Sequence, residues 1–228
     1  MIEQDYIIRL ITVLSRFLAR ILFHKNSHDF PKALLEIQTT GKLLVGIELS
    51  LVEKLSASQL MTLFGADTEV SMPKSYILGI LLKEEADVRR LMGEQESSDR
   101  LNAKALTLLV GTFLAGGEGV EHRHGEAIEE TLSALRGCTL PADLQRSLFD
   151  YEEFVGRYDK AEDLLYEIVD TDETFARRGI IFYERLLAQT DERLEKGNLP
   201  RVEVNEGLEK LRSRFPALAS SAPHQQTD

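Results

Sequence analysis

The sequence predicts an all-α protein, and composition and periodicity are the two observations that support this fold class. The 228 residues include only 15 Gly and 6 Pro, the residues that most often interrupt helices. Leu, Ala, Glu and Arg, which favour helices, are abundant. Apolar residues recur at helical spacing, as at Leu144, Leu148 and Tyr151, and the chain has no series of alternating, strand-like runs.

Residues that begin and end helices divide the first third of the chain. The first helix is predicted from about Ile2 to Phe23. Pro31 suits the first turn of a second helix that reaches roughly Val45. Ser56-Ala-Ser-Gln59 has the spacing of a capping box, in which two side chains satisfy helix N–H groups reciprocally. Gly65 is a plausible end for the helix that follows.

The later helices carry similar signals. Ser71-Met-Pro73 opens a helix that ends at Gly93, and Ser97 and Ser98 offer a cap for the next one. Asp159 offers a cap for a helix that ends near Val169. Further helices are expected at about 121–136, 141–157, 172–189 and 200–214.

Two segments of the chain repeat at a fixed offset. Ala127 and Ala161 stand 34 residues apart in similar surroundings. A small residue at such a place lets one helix lie close against its neighbour, and larger residues fill the groove one and two turns later. The period of 34 is typical of tetratricopeptide repeats, which contribute one helical hairpin per unit. The residues four and seven positions after each alanine are Thr131 and Ala134 in the first copy, and Leu165 and Ile168 in the second.

The residues around the second copy carry a family resemblance. Gly156-Arg-Tyr-Asp-Lys-Ala-Glu-Asp-Leu-Leu-Tyr-Glu-Ile168 resembles the turn and second helix of a tetratricopeptide repeat. Asp29-Phe-Pro-Lys-Ala33 echoes the same pattern near the start of the chain. The chain departs from the family at Phe149, where the repeat has glycine, and at Glu152, where it has an aromatic residue. Glu173 also replaces the usual closing proline.

The resemblance implies an α-solenoid of stacked antiparallel hairpins, with a surface that binds a peptide or another protein. We therefore expect a single helical-repeat domain over residues 1–215, with repeat-like units best seen at 101–137 and 141–170. Residues 216–228 lack periodicity and are expected to be a disordered tail. The layout from Glu3-Gln-Asp-Tyr-Ile-Ile-Arg-Leu10 onward also resembles a bacterial family of uncharacterised proteins, which implies a source and no activity.

Acidic residues are concentrated in the second half of the chain. The formal net charge is −11, and residues 118–196 hold 20 Asp and Glu against 10 Lys and Arg. Nucleic-acid binding is not expected, because its affinity comes largely from Lys and Arg that neutralise phosphates. A basic segment of a protein partner would be attracted to this half.

The remaining bulk features predict a cytoplasmic protein. The start, Met1-Ile-Glu-Gln-Asp5, carries acidic residues where a secretory signal carries basic ones. Ala105–Gly117, the longest strongly apolar segment, has 13 residues, fewer than the roughly 18–20 that span a bilayer. A single cysteine, Cys138, excludes an internal disulfide framework and suits a reducing compartment.

The first helix is unusually apolar. Between Tyr6 and Phe23, 13 of 18 residues are apolar, and the polar ones form a narrow stripe. Three interpretations are open: burial among helices of the same chain, a homodimer interface, and a helix that lies on an anionic membrane surface. The acidic remainder of the protein argues against the membrane. The stripe consists of Arg9, Thr12, Arg16 and Arg20, with Ser15 beside it.

Residues suited to metal binding or catalysis are sparse. His122, His124 and Glu126 are weak candidates for metal ligands, because residues 122 and 124 point in different directions on a helix and could converge only in a loop. Cys138 has no sequence signature that pairs it with a histidine. No phosphate-binding loop, dinucleotide fingerprint, nucleophile elbow or His-Glu-x-x-His motif is present. No catalytic residue and no cofactor is therefore predicted.

These observations favour a non-catalytic protein–protein interaction module or adaptor, with a basic partner as one possibility. The alternative is a small-ligand or metal-binding protein, or an enzyme, with a pocket between helices. A third interpretation is a structural subunit whose first helix completes a homodimer. The residues predicted to be exposed and to contact a partner are Arg146, Tyr151, Glu152, Tyr158 and Tyr166.

Overall fold

The structure is a computed structural model that describes residues 2–52, 54–56, 59–60, 68–116 and 122–216. Every regular element among these residues is a helix, which confirms the all-α prediction. A π-helix at Gly41–Val45 continues the α-helix that ends at Thr40. A 3-10 helix at Glu173–Phe175 leads into the α-helix that begins at Ala176. The α-helices are α1 Ile2–Asn26, α2 Phe30–Thr40, α3 Leu49–Val52, α4 Thr68–Leu91, α5 Gln95–Gly116, α6 His122–Ala134, α7 Ala142–Phe154, α8 Tyr158–Val169, α9 Ala176–Leu187, α10 Asp191–Lys196 and α11 Arg201–Arg214.

The contacts divide the chain into two compact units, the N-terminal unit Met1–Pro141 and the C-terminal unit Ala142–Asp228. The expectation of one domain over 1–215 stays a prediction, and each unit is described by itself. The proposed helix end at Gly65 and the expected tail after residue 216 lie outside the described residues. No helix in the described part of the chain is long and apolar enough to cross a membrane.

Two antiparallel helix pairs build the N-terminal unit. α1 pairs with α2, and the long helices α4 and α5 form a second hairpin against which α6 packs. α4 and α5 come very close at Gly79, where a Cβ would lie 2.9 Å from Cγ of Leu109. The core contains one face of α1, including Leu14 and Ile21. It continues through α2 at Ile37.

The first helix is buried on one face and exposed on the other. Thr12, Arg16 and Arg20 are all exposed, as the predicted polar stripe requires. Leu22 and Phe23 are also exposed, however, so the described helices of the N-terminal unit do not cover the whole apolar surface of α1. Burial among the described helices of this unit therefore accounts for the inner face of α1, and the three interpretations of the outer face stay open.

Two hairpins build the C-terminal unit. α7 pairs with α8, and α9 pairs with α11, with the short helix α10 in the connection. Arg178 and Arg185 of α9 form ion pairs with Asp150 and Glu153 of α7, in the same order along both helices. α7 and α9 therefore run in the same direction. Phe149 fills the space between the hairpins, with T-shaped ring contacts to Phe175 and Phe182 at 5.3 Å.

Some predicted helix ends are confirmed. The Ser56 N–H donates to the Gln59 side chain at 2.8 Å, and the Gln59 N–H donates to Ser56 Oγ at 3.1 Å, which completes the capping box. Pro31 lies in the first turn of α2 behind an Asp29 cap. Gly93, with φ of 82°, follows the end of α4.

Other predicted ends are wrong, because each helix begins earlier in the chain than its predicted cap. α5 begins at Gln95, which places Ser98 fully buried inside the helix. α4 begins at Thr68, so Pro73 lies within it. α8 begins at Tyr158, and Asp159 accepts a hydrogen bond from the Lys160 N–H instead of capping the helix. The short helix α10 was not predicted.

Candidate functional site

A tyrosine at the junction of three helices defines the most distinctive polar site of the C-terminal unit. Tyr183 of α9 is fully buried. Two glycines allow helices to converge around it. A Cβ at Gly179 of α9 would lie 2.6 Å from Leu165 of α8 and 2.7 Å from Leu211 of α11. Gly207 of α11 lies directly against the Tyr183 ring. The phenol is thereby held between α8 and α11.

The Tyr183 hydroxyl is directed at a carboxylate on α8. It donates a hydrogen bond to Oε1 of Glu162, and its oxygen lies 3.4 Å from the hydroxyl of Tyr166. Burial, reinforced by the hydrogen bond to Glu162, raises the pKa of Tyr183 far above its ordinary value. The phenol therefore remains protonated and acts as a donor. Glu162 and Tyr166 stand one turn apart, so both face Tyr183.

Negative charge accumulates around Glu162. Burial raises the pKa of Glu162, the hydrogen bond from Tyr183 opposes this, and the charges of Asp163 and Glu203 raise it further. Among the described residues neither Asp163 nor Glu203 has an ion-pair partner. We call Glu162, Asp163 and Glu203 the acidic face.

One cation lies next to this acidic face. Lys210 of α11 places Nζ 4.6 Å from the centroid of the Tyr166 ring. Its charge acts on Glu162 from beyond ion-pair distance and lowers the pKa of that carboxyl. The site thus joins a carboxylate, an aromatic face and an ammonium group contributed by two helices. Such a combination can bind cations, because a ring face and a carboxylate both attract positive charge.

Three of the predicted contact residues are buried, so the expectation that they are exposed is wrong. Tyr151 is 2% exposed, Glu152 4% and Tyr158 7%. Tyr151 continues the apolar spacing of α7, which directs it to the core. Glu152 forms an ion pair with Arg157, whose guanidinium lies 5.3 Å from the Tyr151 ring centroid. Tyr158 lies against Gly197, where a Cβ would stand 2.9 Å from Cε2 of the tyrosine ring and closer still to Cδ2.

The other two predicted contacts have different surroundings. Arg146 is half-buried and forms ion pairs with Asp143 and Asp172, so it ties α7 to the residue that caps the 3-10 helix. Tyr166 is half-buried and belongs to the site around Glu162. Whether any of these residues binds a partner stays a prediction.

His124 is a core residue. It is 6% exposed, with Nε2 3.0 Å from the carbonyl oxygen of Leu109. The rings of Tyr76 and Phe113 lie 4.5 and 5.7 Å from its own. Burial lowers the pKa of His124 to about 4, although its hydrogen bond with Leu109 opposes the shift.

These surroundings do not favour a metal at His124. Glu126 is exposed, whereas His124 points into the core, and the side chain of His122 lies outside the described residues. In the described ranges, no group of three His, Cys, Asp or Glu side chains could hold a metal ion.

Charged side chains in the N-terminal unit fix helices to one another. Lys25 of α1 lies 2.8 Å from Glu84 and 2.9 Å from Asp87 of α4. Lys83 extends the network, with Glu130 of α6 at 2.7 Å. Arg90 pairs with Asp87 at 3.4 Å, so three cations match three carboxylates in this network, unlike in the acidic face. Cys138 is no activated thiol either, because burial and the charge of Asp99 raise its pKa.

Three members of the site were not predicted from the sequence: Glu162, Tyr183 and Lys210. The i, i+4 spacing of Glu162 and Tyr166 on one helix is a local signal that could have paired them. No local signal connects them to Tyr183 or Lys210, which lie 17 and 44 residues after Tyr166.

The acidic face, the neutralised network of the N-terminal unit and the buried His124 contain no recognised catalytic constellation. Comparison with known proteins adds no activity: neither a curated protein nor a solved structure matches the chain. A family model does match, over residues 1–216. The chain belongs to that family, which is described as a family of unknown function (DUF6483).

Proposed function

We propose that this protein is a non-catalytic interaction module of stacked helical hairpins, similar to tetratricopeptide repeats, whose acidic face binds a basic segment of a partner protein. The observation that carries the proposal is the group of carboxylates Glu162, Asp163 and Glu203 without balancing ion pairs among the described residues. The charges of Asp163 and Glu203 oppose the ionisation of Glu162, which reduces the stability of the free protein. A bound cation would relieve their repulsion.

The arrangement of helices supports the hairpin part of the proposal. The ion pairs Arg178–Asp150 and Arg185–Glu153 join the first helices of two successive hairpins in parallel order. Phe149, where a tetratricopeptide repeat has glycine, packs between these hairpins. Hairpins stacked in this way bury a shared core and leave outer helix faces free for partners.

Titration of the 228-residue protein into a fluorescently labelled Lys/Arg-rich peptide, followed by anisotropy, tests the proposal. We expect binding that weakens between roughly 50 and 200 mM salt, because exposed charges are screened over that range. The Asp163→Asn/Glu203→Gln variant should lose most of the affinity. An acidic peptide of the same length should not bind.

The matched control is Glu192→Gln/Glu195→Gln, which removes two exposed carboxylates from α10, outside the acidic face. It should bind the basic peptide nearly as well as the wild type. Equal losses in both double variants would mean that the peptide responds only to net charge. That result would contradict a specific acidic face.

A further inference from the structure

We infer that the Tyr166 ring and the Glu162 carboxylate form a subsite for a cation, which Lys210 occupies in the free protein. A Lys or Arg side chain of the partner binds there by displacing Lys210. This inference rests on the proposed function and specifies the chemistry of the same site. It makes Lys210 an intramolecular competitor for the partner.

The position of the Lys210 ammonium shows that the site accommodates a cation. Nζ lies 4.6 Å from the Tyr166 centroid. Lys210 has no carboxylate within ion-pair distance among the described residues. A single exposed cation–π contact is worth only about 0.5–1 kcal/mol. Because the lysine side chain is long and flexible, a stronger cation can replace it.

Tyr183 holds the other half of the subsite in place. Its hydroxyl donates to Oε1 of Glu162 and lies 3.4 Å from the Tyr166 hydroxyl, so it fixes the carboxylate on the side of the hydroxyl end of Tyr166. A carboxylate can accept several hydrogen bonds, so this one contact leaves acceptor capacity for an incoming ammonium or guanidinium group. Tyr183 is buried and is therefore a positioning residue rather than a contact.

The central test is the Lys210→Met variant with the same labelled peptide. Removal of the competitor should tighten binding about two- to fivefold, which corresponds to the free energy of one exposed cation–π contact. Any lysine substitution also makes the protein more negative, so Lys160→Met is the matched control. Lys160 is exposed on the same helix as Glu162, and its charge is not over the ring. It should tighten binding clearly less.

The aromatic ring gives an independent measurement. Tyr166→Phe keeps the ring and should bind within about twofold of the wild type, since a phenylalanine face also attracts cations. Tyr166→Leu should weaken binding. In the Tyr166→Leu background the gain from Lys210→Met should disappear, which a double-mutant cycle measures as coupling. Circular dichroism spectra should establish that each variant keeps the helical fold.

The outcomes separate the subsite from the broader proposal. If the Asp163→Asn/Glu203→Gln variant loses binding while Lys210→Met and Lys160→Met have equal effects, the acidic face stands and the subsite is wrong. If no basic peptide binds any form of the protein, the proposed function itself fails. Tighter binding specific to Lys210→Met, and dependent on the Tyr166 ring, supports the inference.

Discussion

The backbone of Gly207 lies against the ring of Tyr183, so close that a Cβ at position 207 would stand 2.7 Å from Cε1 of the tyrosine. No side chain fits between α11 and this ring. The contact presses the phenol toward α8, where its hydroxyl donates to Glu162. A residue with no side chain thus fixes the position of the carboxylate at the proposed binding site.

We expect Gly207→Ala to destabilise the protein. The added methyl group must displace the Tyr183 ring or separate α11 from α9, and overpacking of this kind costs about 1–3 kcal/mol. The better helix propensity of alanine, worth up to about 1 kcal/mol, offsets part of this cost. Urea unfolding followed by circular dichroism measures the difference. A variant at least as stable as the wild type would contradict the close packing.

Gly125→Ala is the matched control for that substitution. Gly125 lies inside α6, and a Cβ there would meet no atom of another described residue within 4 Å beyond the backbone of its own helix. This substitution causes no overpacking, so only the better helix propensity of alanine affects stability. The variant should be as stable as the wild type or more stable by up to about 1 kcal/mol. Opposite signs for the same chemical change would identify packing as the cause.

Glu162→Gln should increase stability at neutral pH and weaken binding of a basic peptide. Burial raises the pKa of Glu162 in the folded protein, so its ionised form is disfavoured there relative to the unfolded chain. Glutamine removes the charge and retains an oxygen that accepts from Tyr183. Because the site is partly exposed, we expect the Tm to rise by only about 1–3 °C.

The pH dependence of that difference has a defined sign. Wild type should approach the variant in stability as the pH falls from neutral toward the ordinary glutamate pKa of 4.5, because Glu162 then becomes protonated. Thermal unfolding of both proteins at several pH values measures this convergence. A difference that is independent of pH would show that the charge of Glu162 is not its origin.

His124 should make the N-terminal unit sensitive to acid. Its pKa is lowered to about 4 in the folded protein from 6.5, so the fold favours the neutral ring. The stabilisation is fully present above pH 6.5 and is lost as the pH falls from 6.5 toward 4, by up to about 3 kcal/mol. Tyr76, Phe113 and the Leu109 carbonyl surround the ring, and none can neutralise an imidazolium charge.

The His124→Phe variant isolates this contribution. It cannot titrate, so its stability should fall less than that of wild type between pH 7 and pH 4.5, measured by urea unfolding. Exposed His28 serves as the control, and His28→Asn should show the wild-type pH dependence. Parallel curves for His124→Phe and wild type would mean that His124 does not control the acid response.

Lys25→Met should destabilise the N-terminal unit by about 1–3 kcal/mol, less than the roughly 3–5 kcal/mol for a fully buried pair, because water still reaches the network. Burial would raise the pKa of Asp87, and the hydrogen bond and charge of Lys25 instead keep it below its ordinary value. Lys25→Met removes the ammonium group that pairs with the carboxylates of Asp87 and Glu84.

Lys32→Met provides the surface comparison for Lys25→Met. Lys32 pairs with Asp29 at 2.6 Å, but its side chain is 65% exposed. Loss of such a pair should cost less than about 1 kcal/mol. Chemical denaturation of both variants measures the loss in the free energy of unfolding for each substitution. Equal losses would contradict the distinction between the partly buried network and the surface pair.

Helix ends were predictable from the sequence where they depend on residues that are close together in the chain. The capping box at Ser56 and Gln59 and the turn at Gly93 depend on local hydrogen bonds and on a backbone that glycine favours. The cap expected at Ser98 was wrong because this serine faces the core, and the burial of a short polar side chain is decided by the neighbouring helix.

The site around Glu162 was largely beyond sequence reasoning. Tyr166 was identified, but on the same grounds Tyr151 and Tyr158 were expected to be exposed, and both are buried. The identity of a tyrosine in the sequence does not indicate whether its side chain is buried in the core or exposed on the surface. Tyr183 and Lys210 join the site through the packing of α9 and α11 onto α8, a relation between residues far apart in the chain.

Affinity capture from a lysate of the source organism, with wild type and the Asp163→Asn/Glu203→Gln variant as baits at two salt concentrations, tests the central claim most directly. Mass spectrometry should identify bound proteins and small molecules together. The account predicts a stoichiometric protein with a basic segment, retained by wild type at low salt and lost at high salt or with the variant. A retained metabolite or metal ion, with no protein that distinguishes the two baits, would contradict it.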